Sequence, residues 1–161
     1  MEDTIKSDLL MSRVEISGEA SEVLCTEEEA MEWFECLREE YDNSLKKLGN
    51  CRFNLAFLSK SEIQELNNLF AGKDKPTNVL SFPSSDDIRK DNFLGDIAIC
   101  SELIREEAIS QGKEINHHLI HIFVHGVLHL LGFDHDQSSN ADKMESLEVR
   151  ILSKIGVADP Y

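Results

Sequence analysis

Two histidines in one apolar stretch, with a third soon after them, are the residues best suited to chemistry. His125 and His129 lie in a stretch typical of a helix, where side chains four residues apart project from the same face. Two imidazoles at that spacing can bind one metal ion at about 2.0–2.1 Å from each nitrogen. Gly132 permits a left-handed turn, after which His135 can approach the same ion from the other side. The pattern predicts a three-histidine metal site with an open fourth position, at the C-terminal end of a central helix.

The same spacing occurs in the metzincin branch of zinc proteases, but the general base of those enzymes is missing here. In metzincins a glutamate follows the first histidine and acts on the water that the metal activates. This chain has Gly126 at that position, and glycine has no side chain to accept a proton. The spacing therefore favours metal chemistry and argues against a peptidase.

Three other interpretations compete with an open metal site. The histidines could be core residues of an apolar helix, although three at this spacing with a glycine between them favour metal. A closed structural zinc site needs four protein ligands, and its fourth would be a carboxylate such as Asp134 or Asp136, because the cysteines are scattered. A membrane span is rejected because five histidines within the apolar run would be unfavourable in lipid.

Composition limits the class of protein. The length of 161 residues predicts a single domain over residues 1–161 that can bury a core without disulfides. The cysteines show no pairing pattern and no apolar leader is evident, so we expect a reducing, cytoplasmic location. These cysteines are Cys25, Cys36, Cys51 and Cys100.

Charge bears on nucleic-acid binding. A net charge of −15 argues against binding by bulk electrostatic attraction. The acids are concentrated early in the chain, with 14 acids and 5 bases in residues 1–50 but 7 acids and 6 bases in residues 51–100. A nucleic-acid surface is therefore expected in the middle of the chain, beside the metal.

Strand and helix patterns alternate along the chain without internal repeats. Strands are predicted at residues 13–17, 52–58, 78–83 and 93–100. Helices are predicted from Thr26 to about Leu48, from Ser59 to Phe70, from Ser101 to about Gln111, from Asn116 through the histidines, and from Ser138 or Ser139 to Ile155. Residues 84–92 are predicted to form a mobile loop. The expected fold is α+β, a small mixed sheet of about four strands covered by five or six helices, with a parallel crossover.

Three stretches together resemble the signature of the YbeY endoribonuclease family, whose members are also called rRNA maturation factors. They are Pro76–Pro83, Leu94–Ile99 and His121–His135, in this order and spacing. The resemblance implies a metal-dependent, single-strand-specific endoribonuclease that acts in 16S rRNA 3′-end maturation and ribosome quality control. It implies that His125, His129 and His135 bind one divalent metal ion, usually zinc. The implied partners are the single-stranded 16S rRNA precursor and the small ribosomal subunit with its proteins or an assembly GTPase, without DNA or membrane.

One departure from the family pattern bears on RNA binding. Where this chain has Ala71, the family usually carries an arginine. Contact with RNA phosphate is attributed to that arginine. Lys73, Lys75 or Arg89 could replace that arginine, although a lysine lacks its bidentate fork. On the simpler interpretation Lys73 and Lys75 belong to a solvated loop.

The route of catalysis stays open in the sequence. A metal ion held by three neutral imidazoles keeps its positive charge, so it can lower the pKa of water or stabilise a phosphoryl oxygen while the RNA 2′-hydroxyl attacks. Asp96, Asp134 and Asp136 are candidates for the general base, and each is equally suited to support a histidine. His121 either orients the site or makes a core hydrogen bond. Two other functions remain: a ribosome-biogenesis binding module with a structural zinc and little activity, or another metal-dependent hydrolase.

Overall fold

The computed structural model describes residues 12–44, 48–85, 92–134 and 138–161. In these ranges the chain forms four strands and five helices. In chain order they are β1 (Arg13–Ser17), α1 (Glu27–Ser44), β2 (Arg52–Leu58), α2 (Lys60–Ala71), β3 (Val79–Pro83), β4 (Phe93–Cys100), α3 (Ser101–Gln111), α4 (Ile115–Leu130) and α5 (Ser138–Ile155). The predicted α+β fold, with about four strands and five or six helices, is confirmed.

The sheet has the order β1-β2-β4-β3, with three parallel strands and one antiparallel strand. Helix α1 connects the parallel pair β1 and β2, as a parallel connection requires, so the predicted crossover is confirmed. Strand β3 pairs antiparallel with β4 and is the last strand in the order. This edge strand lies next to the helix that carries the histidines.

Helix α4 is central because its sequence is apolar on nearly every face, and such a helix is stable only when neighbours cover it. Leu119, Phe123 and Leu128 are fully or almost fully buried in the main core. On the side facing the sheet, Ser81 Oγ of β3 donates a hydrogen bond to the Gly126 carbonyl over 2.9 Å. This contact fixes the position of the last turns of α4 against the edge strand.

The predicted helix starts are partly right. Capping boxes open α1 and α2, where Thr26 pairs with Glu29 and Ser59 pairs with Glu62. The predicted cap at Ser101 is wrong, since this residue lies inside α3 and its hydroxyl donates to the carbonyl of Glu22. The predicted cap at Asn116 is also wrong, because α4 begins at Ile115 and its cap position is Glu114.

Some predictions fall on residues outside the described ranges. Helix α1 runs to Ser44, and residues 45–47 are not described, so its predicted extension to about Leu48 stays a prediction. Most of the predicted loop, residues 86–91 with Arg89, also lies outside them. Among the described residues, none of the helices combines the length and the hydropathy that crossing a lipid bilayer requires. The four cysteines all lie in described ranges and are free thiols.

Candidate metal centre

The last two turns of α4 bring the two helical histidines together. The Nε2 atoms of His125 and His129 lie 3.0 Å apart. The Nδ1 atom of His125 lies 2.6 Å from Glu148 Oε1, and that of His129 lies 2.7 Å from the Phe133 carbonyl oxygen. When each Nδ1–H donates a hydrogen bond to the oxygen beside it, the Nε2 atoms of both rings are acceptors that face each other.

This donor arrangement fits a metal ion. In that tautomer the two Nε2 lone pairs lie 3.0 Å apart and repel each other until a metal ion or a proton lies between them. Nitrogens at this separation can both lie about 2.0–2.1 Å from one ion, the usual zinc–imidazole distance. The oxygen acceptor behind each ring also matches the outer-shell partners that orient metal-binding histidines. The described part of the site is therefore compatible with the predicted metal.

The chain turns directly after these histidines. Gly132 has a positive φ of 98°, as the sequence predicts, and the Phe133 amide donates to the Leu128 carbonyl over 3.1 Å. The turn directs the Phe133 carbonyl back to His129. It also leads towards His135, the third predicted ligand.

His135 and Asp136 lie outside the described residues. In the ranges that the structure describes, no group of three or more His, Cys, Asp or Glu side chains is placed to hold a metal ion. The three-histidine site therefore stays a prediction, to which the structure contributes two donors and their orientation.

Glu148 is a functional residue that sequence reasoning missed. It is fully buried on α5 and accepts hydrogen bonds from His125 and from the Tyr161 hydroxyl, the latter over 2.6 Å. Burial by itself would raise the pKa of Glu148, but hydrogen bonds from His121, His125 and Tyr161 lower that pKa to about 2. The carboxylate is therefore charged, and it holds the His125 ring from behind. The sequence contained one indication that Glu148 is buried, because it lies on the apolar stripe of α5 that contains Met144 and Leu147.

Tyr161 and His121 complete this arrangement on the far side of Glu148. Burial and the nearby Glu148 raise the pKa of the Tyr161 hydroxyl, so this group stays protonated and donates. His121 Nε2 lies 3.5 Å from Glu148 Oε2, and its ring packs edge-on against Tyr161 with centroids 5.8 Å apart. His121 therefore lies beside Glu148, the carboxylate that orients His125. Both of its predicted roles, orienting the site and making a core hydrogen bond, would involve this carboxylate.

The acids predicted as support occupy different places. Asp134 lines the cleft at the two histidines. Asp96 is exposed and accepts a hydrogen bond from Asn54 over 2.9 Å. It lies on the opposite face of β4 from Ile97, whose side chain faces α4. The structure therefore places Asp134, but not Asp96, with His125 and His129.

Two clefts meet at the edge strand. The first has a volume of about 550 Å³ between β3 and the end of α4, and it contains His125, His129 and Asp134. The second has a volume of about 570 Å³, and it contains Lys73 and Lys75. Both are lined by the four residues from Thr77 to Leu80, so they adjoin along β3.

Comparison with known proteins decides the family. The family model for endoribonuclease YbeY matches residues 15–156 of this chain. The chain belongs to the YbeY endoribonuclease family. This confirms the family that the three sequence stretches indicated, and with it the enzyme class of RNA-cleaving hydrolases.

Two proteins named endoribonuclease YbeY and one solved structure are similar to this chain in sequence or fold. The endoribonuclease YbeY of Francisella tularensis subsp. holarctica strain FTNF002-00 / FTA is 47% identical over 120 residues, which cover 71% of this chain and 74% of that protein. The corresponding protein of subsp. novicida strain U112 is 46% identical with the same coverage. The solution structure of TM1509 from Thermotoga maritima has a TM-score of 0.52 and 27% identity, covering 93% of this chain and 98% of that one.

The packing of α4 explains why this YbeY member has Gly126 where metzincins have glutamate. A Cβ atom at position 126 would lie 3.2 Å from both Ile97 Cγ2 and Val79 Cγ2. These atoms belong to the sheet face on which α4 rests. A longer side chain here would require Ile97 and Val79 to shift, so packing disfavours it, and the candidates for a general base lie at other positions.

Proposed function

We propose that the protein is a metal-dependent, single-strand-specific endoribonuclease of the cytoplasm that acts in 16S rRNA 3′-end maturation and ribosome quality control. Membership of the YbeY family supports RNA cleavage and is consistent with rRNA maturation. The observation that carries metal dependence is the pair of Nε2 atoms 3.0 Å apart, with an acceptor behind each ring. We propose the small ribosomal subunit, with its proteins or an assembly GTPase, as the setting in which this RNA is met.

His125, His129 and His135 are the proposed ligands of one divalent ion, and zinc suits an imidazole set best. Such an ion supplies positive charge to a phosphodiester and lowers the pKa of water. Glu148 fixes the ring of His125, and the Phe133 carbonyl fixes the ring of His129. Both Nε2 atoms are thereby held towards the cleft before a ligand arrives, so little ordering is needed on binding.

Asp134 is the acid that we propose to move a proton in the cleft, because it lines the same cavity as the two histidines. Asp96 faces the other side of the sheet, where Asn54 holds its carboxylate, so we assign it no proton transfer. Asp136 lies outside the described residues and remains a second candidate.

Positive charge for the RNA backbone comes from the second cleft. Ala71 lines this cleft in the position of the usual family arginine, and it offers no charge. Lys73 and Lys75 line the same cleft and are proposed to contact phosphate as point charges. The shared wall from Thr77 to Leu80 gives one path from these lysines to the histidines.

The test compares cleavage of single-stranded and duplex RNA by the purified protein, with zinc and with chelator. The decisive variant is His129→Ala, and His117→Ala is its matched control, since His117 lies on the same helix near Glu114 and lines a different cavity. We expect cleavage of single strands that chelator and His129→Ala abolish and that His117→Ala leaves intact. Cleavage at full rate by folded His129→Ala protein would contradict the proposal.

The same assay separates the two other functions. A binding module with a structural zinc would unfold on chelation, seen by circular dichroism, and would show no cleavage in any sample. A different metal-dependent hydrolase would leave RNA intact and would hydrolyse an ester or a peptide.

A further inference from the structure

An aromatic pair lies at the end of α2, close in the chain to residues that line the second cleft. Phe70 is 64% exposed, and its ring packs edge-on against Phe82 of β3 with centroids 5.1 Å apart. Phe70 directly precedes Ala71, which lines the cleft. Leu80 of β3 also lines the cleft. Phe82 lies on the same face of β3 as Leu80, because alternate residues of a strand point the same way. This single ring contact and the exposed fraction leave most of the Phe70 side chain accessible to solvent.

The loop between α2 and β3, residues 72–78, is held so that its two lysines lie at the cleft. Asn67, which is buried, donates to the Lys75 carbonyl over 2.9 Å. Gln64 donates to the carboxylate of Asp74 over 3.0 Å and so holds this acid against α2. Lys73 and Lys75, on either side of Asp74, both line the cleft. The loop thus brings two positive charges to the cleft and turns its one acid back towards α2, while the cleft's own acid, Glu107, accepts a hydrogen bond from Asn78 over 3.1 Å.

Positive charge beside an exposed aromatic ring is the combination that binds single-stranded nucleic acid. Lysines neutralise the phosphates, and the flat ring stacks on a base regardless of its identity. A base inside a duplex is already stacked and cannot offer its face to the ring. An apolar residue exposed singly needs no explanation, but Phe70 contacts Phe82 and is followed three residues later by Lys73.

We propose that Phe70 is a stacking platform for one unpaired RNA base, while Lys73 and Lys75 bind the adjoining phosphates. This proposal rests on the proposed endoribonuclease function and adds a nucleotide subsite to it. The subsite lies on the face of β3 opposite Ser81, which contacts α4. The bound strand therefore crosses the edge of the sheet between Phe70 and the histidines. Part of the proposed preference for single-stranded RNA would therefore come from Phe70, which does not touch the phosphate that reacts.

Binding is measured first, with cleavage prevented. A fluorescein-labelled single-stranded RNA is titrated in chelator with wild type, Phe70→Ala, Phe70→Tyr and Leu69→Ala, and the dissociation constant is read from anisotropy. Leu69 is the matched control because it is the neighbouring residue and is 76% exposed. We expect Phe70→Ala to weaken binding by about 5- to 150-fold, the measured range for loss of one stacked base. Phe70→Tyr keeps the ring and should bind like wild type, as should Leu69→Ala.

A spectroscopic reading tests stacking itself. In Phe70→Trp the new indole should be quenched when RNA binds, whereas in Leu69→Trp it should not. The native Trp33 is 6% exposed and contributes the same background to both proteins. In the cleavage assay with metal, Phe70→Ala should raise KM and leave kcat unchanged, because the subsite does not touch the reacting phosphate.

The outcomes separate this subsite from the proposed function. If wild type cleaves single-stranded RNA and Phe70→Ala binds it equally well, the subsite is wrong and the endoribonuclease function stands. If Leu69→Ala weakens binding as much as Phe70→Ala, the patch is a general apolar surface, such as one for a protein partner, and stacking is refuted. If wild type neither binds nor cleaves RNA, both proposals fail.

Discussion

Replacing Glu148 with glutamine tests how the cleft histidines are held, and the test needs no metal. The substitution keeps the shape of the side chain and removes its charge. In the wild-type protein both carboxylate oxygens accept, one from His125 and the other from the Tyr161 hydroxyl. A glutamine has one oxygen and an NH2 group, so one of these two donors would face another donor. We expect the folded state to lose stability at neutral pH.

The size of the loss follows from the pKa of Glu148. The folded protein lowers this pKa from 4.5 to about 2. At 1.36 kcal/mol per pKa unit, the difference corresponds to about 3 kcal/mol of stabilisation. The pKa is lower in the folded state, so the unfolded chain takes up the proton first as the pH falls. The stabilisation is therefore complete above about pH 4.5 and is lost progressively as the pH falls towards 2.

Urea denaturation in the presence of chelator measures this effect. The free energy of unfolding is compared between wild type and Glu148→Gln at pH 7 and then in steps down to pH 3.5. Asp142→Asn is the control, because Asp142 lies on the same helix and is exposed. We expect a difference of about 3 kcal/mol at pH 7 that narrows below pH 4.5. A variant no less stable than Asp142→Asn, or a difference that widens in acid, would refute the assignment of Glu148 as a buried anion.

Three further predictions concern the same region. Tyr161→Phe removes a hydrogen bond to a buried carboxylate, and because Tyr161 is 61% exposed the loss of stability should be only about 0.5–1.5 kcal/mol; zinc competition against a chelator should show weaker metal binding. Gly126→Val should lower stability by about 1–3 kcal/mol because its side chain would press on Ile97 and Val79, and urea denaturation would detect this. Gly95→Ala should lower the thermal midpoint strongly, since φ is 135° there and a Cβ would clash with the Phe82 carbonyl oxygen.

The part of the site that lies within one helix and its turn could be read from the sequence. His125 and His129 face one cleft because the helical period places them there, and Gly132 turns the chain as expected. Local capping chemistry likewise predicted the start of α2 at Ser59. These features depend on residues within a few positions of one another, so a local pattern contains them.

Contacts between distant parts of the chain could not be predicted in this way. Glu148 follows His125 by 23 residues, and no spacing rule relates the two helices. The face of Asp96 was also hidden, because the pairing of β2 with β4 shifts between Arg52 and Asn54, so alternation cannot be counted from Phe93 to Asp96. Ser101 was predicted to be a helix cap from its local sequence alone. Its actual partner, the Glu22 carbonyl, comes from a distant part of the chain and could not be seen in that pattern.

The origin of the orienting carboxylate has a consequence for the order of synthesis. A ribosome completes both cleft histidines well before it reaches α5, which supplies Glu148. A nascent or truncated chain that stops before α5 carries His125 without the acceptor that fixes its ring. Such a fragment is expected to bind metal 10- to 100-fold more weakly, about the usual effect of losing an outer-shell partner. We therefore expect a chain whose translation stops before α5 to carry an incompletely assembled site.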